Sequence, residues 1–180
     1  MSRLRRPSLA SWVLVVLAAV IALAVFRRGA ALWRADQILA TVEVVSNQAA
    51  AAGGLPPRLL ERHLDLLRRA ERLDPAKVGI PLARGSQYLL KGSEGAAARA
   101  YERALELEPR AEIYLNLGRA RLRLGEEDSA EAALRRAVAI DPKLENLVAP
   151  QLEIIEWRRA RFSNEDSEGG DPEGAQDVEK

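Results

Sequence analysis

The feature that most restricts the fold is a period. Gly85, Gly92, Ala97, Tyr101 and Ala104 recur 33 residues later as Gly118, Gly125, Ala130, Leu134 and Ala137. Leu-Glu-Pro at 107–109 recurs as Ile-Asp-Pro at 140–142, and Leu-Asp-Pro stands earlier at 73–75. A period of this length signals stacked supersecondary units. Each unit reads as a helix, a glycine-bearing turn, a second helix and an acid–proline step. Lys91-Gly92-Ser93-Glu94-Gly95 and Leu124-Gly125-Glu126-Glu127-Asp128 are the turns, and Gly92 and Gly125 suit a helix C-terminus. Gly118 and Ala130 fall where two antiparallel helices approach closely, with Leu117, Leu134 and Ala137 lining their seam at helical spacing. Pro109 and Pro142 are expected in the first turn of the next helix, where no amide donor is missed. A single helix pair cannot bury its apolar face alone, so the pairs must stack. Composition agrees, since 48% of the chain is apolar but only 4% is aromatic. A core of Ala, Leu and Val suits closely packed helices better than a sheet.

The residues Tyr114-Leu115-Asn116-Leu117-Gly118, Gly125, Ala130, Leu134, Ala137 and Asp141-Pro142 resemble the tetratricopeptide repeat (TPR) family. Gly85, Tyr88, Gly92, Ala97, Tyr101, Ala104 and Pro109 make a second match. The unit ending at Asp74-Pro75 keeps Leu67 and Ala70 but has His63 where the family has Ala. The resemblance covers roughly residues 44–142 and implies an all-α fold, a short right-handed α-solenoid of about three helix pairs. After it, residues 143–162 read as an amphipathic capping helix, with Leu147, Leu152, Ile155 and Trp157 available to cover the last pair.

Ahead of the repeats, Leu9 to Phe26 is an uncharged run of 18 residues, about 27 Å as a helix. That length is the threshold for crossing a bilayer. Trp12 and Trp33 stand about 31 Å apart along such a helix, the spacing of two membrane interfaces. Arg3, Arg5 and Arg6 lead the run, and Arg27, Arg28 and Arg34 follow it. The balance favours a cytoplasmic N-terminus (residues 1–8), a transmembrane helix at 9–28 and an extracytoplasmic remainder. A cleaved signal sequence ending at Ala22-Leu23-Ala24 is the alternative, although Val25 and Phe26 continue the apolar run. No proline interrupts residues 9–55. The spanning helix is therefore expected to run on as one rod to about Ala52, ending at Gly53-Gly54, so that 29–57 supplies the first helix of the first pair, with the array proper at 58–142.

Charge narrows the function. Between Gly29 and Phe162 there are 21 Lys/Arg against 19 Asp/Glu, which is not a basic nucleic-acid surface. Residues 163–180 hold seven acids and one base, and are expected to be a disordered acidic tail. There is no cysteine and one histidine, His63, expected at the seam of its helix pair and partly buried. No phosphate-cradling loop, nucleophile elbow or metalloprotease motif is present. The expectation is no catalytic residue, no cofactor, no metal and no small-molecule substrate.

In the resembled family the first helix of each pair lines a concave groove that holds peptides or partner helices. Carried over, that face comprises Leu82, Ser86 and Leu89, then Glu112, Leu115, Arg119, Leu122 and Arg123. Leu82, Ser86 and Glu112 stand where a carboxylate-clamping member would need Lys or Asn, so that clamp is not expected. The leading reading is a scaffold or adaptor on the extracytoplasmic face of a bacterial inner membrane, binding a protein or peptide. The alternatives are a chaperone-like holder of exported segments and a spacer subunit whose transmembrane helix makes the main contact.

Overall fold

The computed structural model describes residues 9–51 and 55–168, and among these the chain forms seven α-helices and no strand. They are α1 (Leu9–Ala51), α2 (Pro57–Leu73), α3 (Gly79–Leu90), α4 (Glu94–Leu107), α5 (Ala111–Leu124), α6 (Glu127–Ile140) and α7 (Glu145–Glu168), with a 3-10 turn at Pro142–Leu144 before α7. Two compact units divide within α3, after Gln87.

The first unit is built on α1, one unbroken helix of 43 residues. From Trp12 to Gly29 its side chains are exposed. Further along, Ala35, Leu39 and Val42, spaced four and three apart, are buried against Leu67 and Ala70 of α2 and Ile80 of α3. One helix therefore serves as an apolar rod at one end and as half of a helix pair at the other. α2 begins with Pro57, whose fixed φ suits a first helical turn. It buries Leu60, His63, Leu64, Leu67 and Ala70 along one stripe. Polar ties hold the pair in register. Arg28 Nη1 donates to the Leu73 carbonyl at 3.0 Å, Lys77 Nζ meets Asp36 at 2.8 Å, and Arg84 pairs with Glu71.

The second unit packs more tightly. Ala97, Ala100, Tyr101 and Ala104 of α4, Ile113, Leu117 and Gly118 of α5, and Ala130, Leu134 and Ala137 of α6 are buried. A Cβ added to Gly118 would fall 2.7 Å from Leu134 Cγ and 3.2 Å from the Ala130 carbonyl oxygen. The expected close approach of α5 and α6 is therefore present. Gly92 and Gly125 both adopt positive φ, 72° and 79°, conformations that favour glycine. Their turns carry the same bond pair: Gly92 and Ser93 amides reach Leu89 and Tyr88 carbonyls at 3.1 and 2.9 Å, and Gly125 and Glu126 reach Leu122 and Arg121 at 3.2 and 3.0 Å. This is the double closure of a left-handed helix terminus.

The acid–proline steps close the second helices. The amides of Asp74, Glu108 and Asp141 donate to Ala70, Ala104 and Ala137 at 2.8, 2.9 and 2.9 Å. Pro109 departs from expectation. It precedes Arg110, the N-cap of α5, rather than sitting inside the helix. Its role is to force Glu108 into extended backbone and so terminate α4. Pro142 opens the 3-10 turn that leads into α7.

The cap also departs from expectation. Val148 and Ile155 are its buried residues, supported by half-buried Leu144 and Leu152. Leu147 and Trp157 are 51% and 61% exposed, because Leu147 lies about 100° around the helix from Val148 and Trp157 about 160° from Ile155. Arg158 and Arg159 bind the cap to α6 through Glu127, Asp128 and Glu131 at 3.3, 2.8 and 2.9 Å. α7 also runs to Glu168, so residues 163–168, expected to be part of a disordered tail, are helical. No glycine or proline stands between Phe162 and Gly169 to stop a helix already nucleated by packing. The rest of that acidic segment, 169–180, lies outside the described residues, as do residues 1–8.

Candidate functional site: the first-helix faces

α5 carries most of the residues expected to line a binding face, and the structure sorts them. Leu115 is 6% exposed and belongs to a core with Ala130, Leu134, Ala137, Val148 and Ile155. It has no surface for a partner, since α7 packs over the edge that an open groove would need. Leu122 is half-buried against the same core. Glu112 and Arg123 are exposed, and Arg119 is half-buried. The accessible α5 face is thus polar and cationic toward its C-terminal end. Arg119 and Arg123, four residues apart, stand one above the other. In α3, Leu82 and Ser86 are half-buried within the first unit, with Ser86 Oγ donating to the Leu82 carbonyl at 3.3 Å. Leu89 is half-buried within the second.

The other side of α5 shows a feature that sequence reasoning missed. Tyr114, Leu117 and Arg121, spaced three and four apart, floor a cleft of about 640 Å³ between α4 and α6. Leu105 and Glu106 of α4 wall one side, and Ala132, Ala133 and Arg136 of α6 the other. Arg121 crosses it, donating to Glu102 at 2.8 Å and to the Ser129 carbonyl at 3.4 Å. The guanidinium therefore ties three helices together. The available signal was the spacing of Tyr114, Leu117 and Arg121 on α5, of which the sequence reading places only Leu117 in the seam and gives Arg121 no role.

His63 is more deeply placed than expected, 2% exposed, as is Gln87. His63 Nδ1 lies 3.2 Å from Gln87 Oε1, and Gln87 Nε2 donates to Ser46 Oγ at 2.9 Å. Ser46 Oγ is 3.5 Å from His63 Nδ1. An amide oxygen only accepts, so this arrangement assigns the ring proton to Nδ1. The three side chains come from α1, α2 and α3 and form a buried polar pin. With no carboxylate in the set and the ring closed off from solvent, the geometry suits a structural role.

Comparisons with known proteins follow this geometry. Residues 111–144 match the tetratricopeptide repeat family. No curated protein is similar enough in sequence to be matched. Among solved structures, a thermophilic TPR protein of Thermus thermophilus is 26% identical, with a TM-score of 0.56 over 76% of this chain and 75% of that one. The first TPR of Spaghetti (RPAP3), bound to an HSP90 peptide, is 19% identical with a TM-score of 0.58, covering 69% and 94%. The Yersinia enterocolitica type III secretion chaperone SycD, in complex with a peptide of the translocator YopD, is 18% identical with a TM-score of 0.57, covering 69% and 93%. Residues 111–144 thus match a tetratricopeptide repeat, carried in an all-helical TPR-like solenoid fold. No catalytic family is indicated.

Proposed function

We propose that this protein is a membrane-anchored adaptor of the bacterial inner membrane. Its N-terminus is cytoplasmic, and its TPR domain stands on the extracytoplasmic side, where it holds a segment of a partner protein. One observation carries the reading. α1 passes without a break from an exposed apolar run at 12–26 into the buried positions Ala35, Leu39 and Val42. An apolar face that long finds no cover among the described residues, and a bilayer is the solvent that matches it. The same helix makes the repeats inseparable from their anchor.

The binding face is the exposed part of α5, where Arg119 and Arg123 offer charge to an acidic segment while Glu112 biases its direction. The RPAP3 and SycD structures, each holding a peptide, support a peptide ligand for this fold. The test uses the full chain in its native membrane. The protein should resist a high-salt wash, a reporter fused after Lys180 should be active outside the cytoplasm, and crosslinking should recover one partner stoichiometrically. Arg119→Glu with Arg123→Glu should weaken that partner's binding by roughly tenfold, as two solvent-accessible charge contacts of up to about 1 kcal/mol each predict. Release by salt, or cleavage that leaves a mature protein beginning at Val25, overturns the anchor.

A chaperone-like holder of exported segments is the second reading, favoured by the likeness to SycD. It predicts weak capture of many unrelated apolar peptides instead of one stoichiometric partner.

A further inference from the structure

The apolar run of α1 ends at Phe26, and the structure brings a second helix to that point. Arg28, two residues or about 3 Å further along α1, donates from Nη1 to the Leu73 carbonyl at 3.0 Å. Leu73 is the last residue of α2. At the other end of the pair, Ser46 Oγ lies 3.5 Å from His63 Nδ1. α2 therefore runs antiparallel to α1, and its C-terminal turn stands one arginine side chain from the end of the apolar run.

This end of the pair is cationic. Arg69 and Arg72 are exposed and lie on the face of α2 roughly opposite its buried stripe. Arg27 and Arg34, also exposed and seven residues apart, stand nearly in line on α1. None of these four has an ion-pair partner among the described residues. Of the acids nearby, Asp36 is held by Lys77 at 2.8 Å and Glu71 by Arg84, which leaves Asp74. Trp33, exposed beside Arg34, is the side chain that prefers the level of lipid headgroups.

Position and charge together select the ligand. Guanidinium forks bind phosphate oxygens bidentately. A chain held in a bilayer meets lipid phosphates at a permanently high local concentration. A zwitterionic headgroup offsets its phosphate with an ammonium, whereas an anionic one keeps its charge. The arginine face of α2 continues to Arg62 and Arg58, about 15 and 21 Å from Arg72 along the helix. Those two lie too far out for headgroups, whose attraction fades within about 8 Å at physiological salt. We propose that Arg27, Arg34, Arg69 and Arg72 form a collar that binds the headgroups of anionic phospholipids in the bilayer α1 crosses. The collar rests on the anchor reading and holds whichever leaflet it faces.

Trp33 can report its own lipid neighbours. The full chain carrying Trp12→Phe and Trp157→Phe keeps it as the single tryptophan. That protein is reconstituted into phosphatidylcholine vesicles containing a minor fraction of chain-brominated phosphatidylglycerol, or the same fraction of chain-brominated phosphatidylcholine. Brominated phosphatidylglycerol should quench Trp33 several-fold more effectively, and added salt should shrink the preference. Arg27→Gln, Arg34→Gln, Arg69→Gln and Arg72→Gln together should abolish the preference with the circular-dichroism melt unchanged, since all four side chains are exposed. Arg58→Gln with Arg62→Gln should leave it intact. Equal quenching by the two lipids would overturn the collar while the anchor stands; if the four-substituted chain also loses its crosslinked partner, the face binds an acidic protein instead. A preference that survives the four substitutions, or that the Arg58 and Arg62 pair removes equally, would also overturn the collar. Absence of quenching by either lipid would overturn the anchor and the collar together.

Discussion

The two units hold their helices together by different means. In the second, α5 and α6 meet through a glycine and three alanines, so close that Gly118 cannot gain a single carbon without reaching Leu134. In the first, α1 and α2 are joined partly by a buried polar pin, His63 with Gln87 and Ser46, and by peripheral ties such as Arg28 to the Leu73 carbonyl. Close packing is intolerant of volume and indifferent to polarity. A polar pin is the reverse: it tolerates little change of chemistry, because each member left without its partner is a buried unsatisfied group. The second unit is where the family pattern is strongest. The first departs from it at His63 and recruits a helix that continues into the apolar run.

The sharpest way to break the contrast is Gly118→Leu. Overpacking should destabilise the second unit by about 3 kcal/mol, seen as a lower melting temperature with loss of hydrogen-exchange protection centred on α5 and α6. An unchanged melt would mean that α5 and α6 do not meet at Gly118. Next comes Gln87→Leu, nearly the same in volume but unable to accept from His63 or donate to Ser46. It should cost about 1–3 kcal/mol, with the protection loss centred on α1 and α2. If it is neutral, the pin does not hold the first unit together, and packing accounts for both units alike.

The smallest effect is electrostatic. Glu131 is held below its ordinary value of 4.5, first by the hydrogen bond from Arg135 and then by that from Arg159 on the cap. A carboxylate depressed on folding adds stability above its unfolded pKa and loses it as the pH falls through the folded value. Thermal melts from about pH 6 to about pH 3 should therefore fall slightly less steeply for Glu131→Gln than for the parent. Added salt should shrink the difference, since the group is at the surface.

What could be read from the sequence follows the range of the interaction that fixes it. The glycine turns, the acid–proline terminations and the Gly118 contact are set within one helix pair, and a 33-residue period exposes them. Leu115 was misjudged because helical spacing defines a face without saying which neighbour covers it, and its cover is α7. Leu147 and Trp157 are a different case: they lie about 80° and about 160° around the helix from Ile155, off the buried stripe, a separation that helical spacing does report. The partners of His63 are 17 and 24 residues away, on helices whose azimuth no local pattern reports. The remaining groove expectations, on Leu82, Ser86, Leu89, Glu112, Leu122, Arg119 and Arg123, concern what a surface binds, which intramolecular packing does not determine.

α1 fixes a phase as well as a position. Each residue of a helix advances the chain about 1.5 Å and turns it about 100°. Between Phe26 and the first buried residue, Ala35, there is no interruption in the helix to absorb a change of length. One alanine inserted there would lift the first unit by little more than an ångström, yet swing it through more than a quarter turn about the rod. On the membrane-anchored reading proposed above, the compass direction that Lys77 faces across the bilayer is thus encoded by residue count, and the surface offered to a partner in two dimensions is aimed by arithmetic in the stem.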